Sequence, residues 1–183
     1  GLQYTYHNAK NAETFGVELD VKKNLDFIGL RGLSVVCNAA YIYSRVRFEE
    51  GAPERDRPLA GQSPYLVNAG FFYQYDDKGI SASLLYNRIG KRIESVGVPM
   101  QNQNEDIPDI YEMPRNSLDL TFSKKIGKIV EIKAGIQDML NSKVEYKQFV
   151  KLTDDKGGKS EREQLIRSYR PGVDINIGVS LRF

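Results

Sequence analysis

Few side chains in this chain of 183 residues have the chemistry of an active site. His7, beside Asn8, is the single histidine, and Cys37 is the single cysteine. A hydrolytic histidine needs a serine held beside it and a third group that orients it, and no predicted strand presents a convincing serine. One cysteine excludes an internal disulfide and a zinc site built from several cysteines. We therefore expect no enzyme, no catalytic residue, no bound metal and no cofactor.

The charged residues that remain as candidates lie in polar stretches. Asp106, Asp109 and Glu112 share one such stretch, where we expect solvated carboxylates, with a loop-bound cation as the weaker interpretation. Arginines in these stretches have the chemistry to contact an anionic ligand or a phosphate of lipopolysaccharide through paired hydrogen bonds. The ligand-facing candidates are Arg92, Asp106, Asp109, Arg162 and Arg167.

Composition narrows the class of protein. The formal net charge is only +2, which gives no support for a nucleic-acid partner. No run of about 18 apolar residues occurs, so no transmembrane helix is predicted. The chain contains 11 tyrosines and 8 phenylalanines, and aromatic residues favour strands and membrane interfaces. It opens at GLQYTYHN without a signal peptide, and we expect it to be part of a longer chain.

Strands must position these residues, because apolar side chains recur with a period of two. The end of the chain shows this best, with small or polar residues between the apolar ones. The apolar set there is Val173, Ile175, Ile177, Val179, Leu181 and Phe183. Similar alternation predicts strands at 15–21, 33–48, 65–75, 80–87, 118–123 and 130–137, which makes about seven, and Leu2–Tyr6 is expected to be the tail of another.

The links between these strands alternate between short and long. Turn residues predict tight links near 76–79 and 126–128 and a moderate one at 24–32. Longer polar links are predicted at 49–62, 94–111 and 150–167. An up-and-down barrel with this alternation has all short turns at one end and all long loops at the other, as outer-membrane barrels do.

The tyrosines near strand ends fit the same interpretation. On a membrane barrel they form an aromatic girdle at the lipid boundary, although ordinary strand aromatics remain the alternative for any one of them. The girdle candidates are Tyr41, Tyr43, Tyr65, Tyr73, Tyr75 and Tyr86. A soluble β-sandwich and a small self-contained barrel of about eight strands also remain open, since both alternate in the same way.

Four segments resemble one protein family. NAKNAETFGVELDV (8–21), RPLAGQSPYLVNAGFFY (57–73), VEIKAGIQDMLNSK (130–143) and YRPGVDINIGVSLRF (169–183) are similar, in order, to the C-terminal part of TonB-dependent outer-membrane receptors of the Bacteroidetes type. The resemblance implies an all-β antiparallel transmembrane barrel of about 22 strands. Residues 1–183 would supply its last seven or eight strands, without the plug domain.

The resemblance also implies a function and partners. The function is TonB-dependent uptake of a scarce ligand: a metal chelate, a vitamin, a glycan or a peptide. The partners are outer-membrane lipid and lipopolysaccharide, the barrel-assembly machinery, an external ligand, and TonB through the missing N-terminal region. The apolar side chains of the last strand, ending in Phe183, would form the signal that the assembly machinery reads. A structural or adhesion-type outer-membrane barrel that transports nothing is the alternative.

Overall fold

The computed structural model describes residues 8–52, 54–100, 106–153 and 158–182. Within these ranges the chain is all-β, with two short 3-10 turns at Asp26–Ile28 and Asp76–Lys78. The strands are β1 (Asn11–Asn24), β2 (Leu33–Arg47), β3 (Tyr65–Tyr75), β4 (Ile80–Ile89), β5 (Arg92–Ser95), β6 (Ile110–Glu112), β7 (Arg115–Ile126), β8 (Val130–Gln137), β9 (Val144–Thr153), β10 (Lys159–Tyr169) and β11 (Asp174–Leu181). A search of the described residues for a helix long and apolar enough to cross a membrane finds none.

Seven strands form one antiparallel sheet, in the order β1-β2-β3-β4-β7-β8-β11. These are the seven strands that the period of two predicts. Tight turns join β3 to β4 and β7 to β8, with Gly79 (φ 59°) and Gly127 (φ 61°) in the left-handed region that glycine tolerates best. Within the described residues β1 and β11 each pair on one side only, so the sheet is open. The predicted strand tail at Leu2–Tyr6 lies outside the described residues.

A second sheet corrects the predicted strand count. It has four strands in the order β10-β9-β6-β5. The described residues therefore form eleven strands, and the prediction of seven or eight is wrong. The segments 94–111 and 150–167, predicted as polar loops, contain β6 and most of β10, respectively. The physical reason is that four strands of the large sheet continue past a break. β5 follows β4, β6 precedes β7, β9 follows β8, and β10 precedes β11.

The breaks occur where the chain cannot extend a regular ladder. Pro114 and Pro171 lack the N–H that a ladder hydrogen bond needs. Between β8 and β9, Asp138 (φ 52°) and Asn141 (φ 43°) take left-handed conformations, which only a few residue types such as Asp and Asn adopt readily. Gly172 (φ 96°) does the same before β11.

Polar contacts fix the bend between β8 and β9. Arg115 forms an ion pair with the carboxylate of Asp138, and the backbone N–H of Asp138 donates to Asp119 Oδ1 at 2.8 Å. On the other side of the bend, Arg170 Nη1 donates to the carbonyl of Asn141 at 2.6 Å. The bend is therefore held to both neighbouring strands, β7 and the chain entering β11.

One face of the large sheet is apolar and uncovered. The register places apolar residues directly opposite each other from strand to strand, as in the row Leu84, Leu120, Ile136 and Ile175. Val17 on β1 is 74% exposed and Ile177 on β11 is 77% exposed. A β-sandwich would bury such a face against a second sheet, and the four-stranded sheet does not cover it.

The buried apolar side chains of the described chain lie at the end of the molecule opposite the tight turns at Gly79 and Gly127. The buried apolar residues of the described chain are Val46, Ile93, Val144 and Tyr146. Val46 lies near the end of β2, and the other three lie in the four-stranded sheet. The large sheet therefore has no core of its own.

The opposite face of the large sheet is polar and internally hydrogen-bonded. A row of amides crosses it: Asn87 Nδ2 donates to Asn68 Oδ1 at 2.5 Å, Asn68 Nδ2 to Asn38 Oδ1 at 3.3 Å, and Asn38 Nδ2 to Glu18 Oε1 at 2.6 Å. Paired hydroxyls, Ser81–Ser123 and Ser83–Thr121, lie lower on the same face. The two faces thus differ in chemistry across the whole width of the sheet.

Candidate functional site

A cavity of about 460 Å³ opens at the end of the molecule where the long links gather. We call it the loop cavity; its lining comes from residues 54–58, 91–99, 106–111 and 149–151 together with Glu161. Apolar side chains form part of its wall: Pro58, Pro99, Ile107, Pro108 and Val150. Its volume lies in the range of small-molecule sites, about 300–1,000 Å³.

Two of the cavity's aspartates organise the link between β5 and β6. Asp106 accepts two hydrogen bonds from Arg55, at 2.6 and 3.2 Å, and one from the backbone N–H of Met100 at 2.7 Å. The Met100 N–H, and then Arg55, lower the pKa of the Asp106 carboxyl. Asp109 accepts from the backbone N–H of Gly97 at 2.8 Å and from the hydroxyl of Tyr111 at 3.4 Å. These carboxylates are engaged inside the protein, whereas the sequence predicted solvated ones.

A third aspartate is engaged in the same way in the link after β2. Asp56 accepts from the backbone N–H of Phe48 and from Arg45 Nη2, both at 3.2 Å. Hydrogen bonding from Phe48 lowers the pKa of Asp56, despite an opposing effect of burial. Among the described residues no group of three or more His, Cys, Asp or Glu side chains could hold a metal ion.

A lysine held by two aromatic rings forms the most distinctive part of the cavity wall. The Nζ atom of Lys91 lies 4.6 Å from the ring centre of Tyr111 and 4.7 Å from that of Phe149. The two rings meet edge to face, with their centres 5.8 Å apart. Such cation–π contacts are favourable and leave the N–H groups of the ammonium available. Burial, reinforced by Asp109, raises the pKa of Tyr111, so its hydroxyl stays protonated and can donate.

Other charged residues of the four-stranded sheet hold its strands together. Arg92 on β5 donates to Glu112 on β6 at 2.7 and 2.9 Å. Lys147 on β9 forms ion pairs with Glu145 at 3.3 Å and with Glu163 on β10 at 2.7 Å. Hydrogen bonds from Lys147 to these two glutamates raise the pKa of the lysine. Charge therefore ties β5 to β6 and β9 to β10, in addition to the backbone pairing.

The predicted ligand-facing residues divide into three groups. Asp106 and Asp109 line the loop cavity. Arg92 is used between β5 and β6, and the guanidinium of Arg167 packs 4.1 Å from the ring centre of Tyr146. Arg162 is exposed on β10 and does not line the cavity. The structure thus brings together two of the five.

Five of the six girdle tyrosines lie in two rows on the apolar face, and Tyr86 lies between the rows. Tyr41 and Tyr65 are directly opposite each other near the long-link end, where Tyr43 also lies. Tyr73 and Tyr75 lie at the short-turn end of β3. Tyr86 is opposite Ala69 and donates to Asn116 Oδ1 at 2.8 Å. Their contact with lipid stays a prediction.

The last strand has the alternation that the sequence predicted. Ile175, Ile177, Val179 and Leu181 share the apolar face and are more than half exposed. Val173 immediately precedes β11, and Phe183 lies outside the described residues. Because β11 pairs only with β8 in the described chain, its other edge is available to a further strand. Its role as an assembly signal stays a prediction.

Sequence reasoning missed the cationic and aromatic part of the cavity: Arg57, Lys91, Tyr111, Phe149 and Lys151. Alternating apolar residues at 144–150 could have predicted β9 and, with it, the position of Phe149. No local pattern could have placed Lys91 against Tyr111 and Phe149, because Lys91 and Tyr111 are joined by a long link and Phe149 belongs to the separate β9–β10 hairpin.

Comparisons with known proteins leave the site to be interpreted from its own geometry. No protein-family model matches this chain. A search of curated proteins finds no significant match. A search of solved structures finds none either.

Proposed function

We propose that this chain is part of the wall of a transmembrane β-barrel in the bacterial outer membrane, within a receptor that imports a scarce ligand with energy delivered by TonB. The seven-stranded sheet contacts lipid, and the four-stranded sheet with the loop cavity faces the ligand. One observation carries this proposal: the uncovered apolar face that runs across all seven strands of the large sheet.

That face suits acyl chains better than water. Soluble monomers rarely expose contiguous apolar patches larger than a few hundred Å², and this one spans residues from Val17 on β1 to Ile177 on β11. β1, β2 and β3 have 14, 15 and 11 residues, which meets the roughly 9–11 that a tilted membrane strand needs. A polar, hydrogen-bonded opposite face suits the wet interior of such a barrel.

The open edges support a larger barrel. In the hydrocarbon region every backbone N–H and C=O must be paired, so membrane sheets close on themselves. β1 and β11 each leave one edge unpaired within the described chain. Further strands must then complete the barrel, in agreement with the resemblance of this sequence to the last strands of a barrel of about 22.

The tyrosine rows give the apolar band a height. From Tyr65 to Tyr75, ten positions along β3, a strand rises about 34 Å, and a tilt of about 40° reduces this to about 26 Å along the membrane normal. Outer-membrane barrels have an apolar band about 25 Å tall between two aromatic girdles. The spacing of the rows therefore suits one bilayer.

The proposed receptor function is supported by the cavity at the end of the molecule where the long links lie. A cavity of small-molecule size lies there, on the opposite side from the tight turns at Gly79 and Gly127. Short turns face the periplasm in outer-membrane barrels and long loops face outward. Coupling to TonB follows from the resemblance of the four segments quoted above.

Tryptophan fluorescence tests the membrane wall directly. The chain contains no tryptophan, so Ile177→Trp and Ser180→Trp each introduce a single reporter on opposite faces of β11. In vesicles whose acyl chains carry bromine, we expect strong quenching of the Ile177→Trp emission and little quenching of the Ser180→Trp emission. Equal quenching of both, or quenching of neither, would exclude the lipid-facing wall.

A binding assay tests the transport part separately. The full-length gene product is expected to be retained by the immobilised periplasmic domain of TonB, and deletion of its N-terminal region is expected to abolish retention. A full-length protein that inserts in the outer membrane and shows no such retention would instead be a structural or adhesion-type barrel.

A further inference from the structure

We infer that the loop cavity binds a small anion that carries an apolar body, with Lys91 and Arg57 as the residues that recognise its charged group. This rests on the proposed function, in which the cavity faces the external ligand, and it names the class of that ligand. The basis is a difference between the cavity's three aspartates and two of its cations, Lys91 and Arg57, in how far their hydrogen-bonding capacity is already used.

The three aspartates of the cavity are occupied by partners within the protein. Asp56, Asp106 and Asp109 each accept at least two hydrogen bonds from the described chain. Glu161 lies directly opposite Lys151 on the neighbouring strand, and Glu54 has an internal interaction, although its Oε2 atom accepts no hydrogen bond from the described chain. At the three aspartates, a ligand that offers hydrogen-bond donors would compete with contacts that already exist.

Two cations of the cavity have donors to spare. Lys91 is held against Tyr111 and Phe149 and forms no ion pair with any described carboxylate. The Nε–H of Arg57 is buried in the cavity wall and has no acceptor within the described chain. A buried donor without an acceptor costs about 1–3 kcal/mol. Arg57 lines the cavity, so a shift of its side chain that brings this N–H to an acceptor in the cavity would be favoured.

The two cations are also held in place before a ligand arrives. The rings of Tyr111 and Phe149 fix the Lys91 ammonium, and the guanidinium of Arg57 lies 5.5 Å from the ring centre of Phe48. Arg57 is further held by the backbone bridge between its own residue and Val46. Ordering donors in advance removes part of the entropic cost of binding.

The apolar part of the cavity wall determines the chemistry and size of the uncharged part of the ligand. Ile107, Val150 and three prolines present apolar surface around the cavity. A bare inorganic anion would leave this surface in water, whereas an organic anion would cover it. The cavity of about 460 Å³ limits the body to the size of a small molecule.

A matched pair of ligands tests this assignment. The probes are 4-fluorobenzoate and 4-fluorobenzamide, which have nearly the same shape and differ in charge. They are titrated by fluorine NMR against the full chain in detergent micelles, with empty micelles as a reference. We expect saturable binding of the carboxylate, and binding of the amide at least about tenfold weaker, because a charged acceptor forms stronger hydrogen bonds.

Matched variants locate the binding. Lys91→Gln and Arg57→Gln are each expected to weaken carboxylate binding roughly tenfold, since each removes a charged donor. Lys128→Gln, which makes the same change of charge in the turn after Gly127, is expected to leave it unchanged. Lys91 is exposed, so its replacement leaves the fold intact.

Three outcomes would overturn the inference: no saturable binding of the carboxylate, equal affinity for carboxylate and amide, or equal affinity of Lys91→Gln and Lys128→Gln. Each leaves the tryptophan experiment on β11 unaffected. Failure of the ligand class and failure of the membrane wall are therefore read from different measurements.

Discussion

The two sheets of this chain use side chains in opposite ways. In the large sheet the apolar side chains point outward and the polar ones bond to each other across the opposite face. In the small sheet Ile93, Val144 and Tyr146 are buried, and charged pairs such as Arg92–Glu112 tie its strands together. Four strands of the large sheet continue into the small sheet past a break. In these four, the change from exposed to buried apolar side chains occurs at the break.

This difference teaches where each sheet obtains its stability. The small sheet buries apolar residues and pairs its charges, as a protein in water does. The large sheet buries almost nothing of its own, and the proposed membrane would supply the apolar phase for its exposed face. On that proposal, a change on the apolar face should act through lipid, and a change in the small sheet should act through the protein's own contacts.

The largest effect is expected from a charge on the apolar face. Ile177→Arg should destabilise the protein in vesicles by about 2–4 kcal/mol, as a cation near the middle of a lipid-facing strand does. Ser180→Arg, on the polar face of the same strand, should cost much less. Urea unfolding of both variants in phosphocholine vesicles measures the difference. Similar losses for the two would show that the faces do not differ in environment.

The second-largest loss of stability is expected from a change at the bend between the two sheets. Asp138→Asn keeps the shape and the left-handed tolerance of the residue and removes the charge that pairs with Arg115. Because both side chains are largely buried, we expect a loss of about 1–3 kcal/mol in the free energy of unfolding. Lys10→Gln, at an exposed pair with Glu49, is the control and should change stability by less than about 1 kcal/mol.

A smaller effect is expected on the polar face. Asn68 donates to Asn38 and accepts from Asn87, so Asn68→Ala removes two hydrogen bonds. We expect a loss of about 1–2 kcal/mol, because these groups are only partly buried and water replaces some of the bonding. The same urea titration measures it. A loss as large as that of Ile177→Arg would contradict the assignment of this face to a wet interior.

Acid should weaken the link between β5 and β6, where Asp106 lies. The pKa of Asp106 is lowered in the folded protein by the Met100 N–H and by Arg55, so its carboxylate contributes stability above the unfolded pKa. This contribution is lost as the pH falls through the lowered pKa. The protection factor of the Met100 amide, which is its intrinsic exchange rate at each pH divided by the observed rate, should therefore fall in acid in the native protein. Asp106→Asn should remove most of that pH dependence, and an unchanged profile would exclude Asp106 as its cause.

The large sheet could be predicted from the sequence because each of its strands is marked by a pattern within a few neighbouring residues. Alternation such as Val17–Leu19 or Ile175–Ile177 marks a strand and a face within a few residues, and Gly79 and Gly127 mark the turns. The small sheet was missed because its strands are short or charged: β6 has three residues, and β10 carries KSEREQ. Their pairing depends on partners such as Glu112 and Arg92 that lie far apart in sequence.

The loop cavity was harder still to predict. Asp106 and Asp109 drew attention as a local cluster, and they do line it. What they contact could not be foreseen, because Arg55 and Gly97 belong to other links. Lys91 looks like an ordinary surface lysine until the rings of Tyr111 and Phe149 are placed on either side of it.

The row of amides on the polar face has one more consequence. Apolar alternation decides which way side chains point, yet sliding one strand past another by two residues preserves that alternation. Such a slip would move Asn38, Asn68 and Asn87 out of line, although they now stand directly opposite one another. Alternation of apolar and polar residues alone therefore does not determine the register of the strands. The hydrogen bonds between the amides do, because a strand shifted by two residues would lose them.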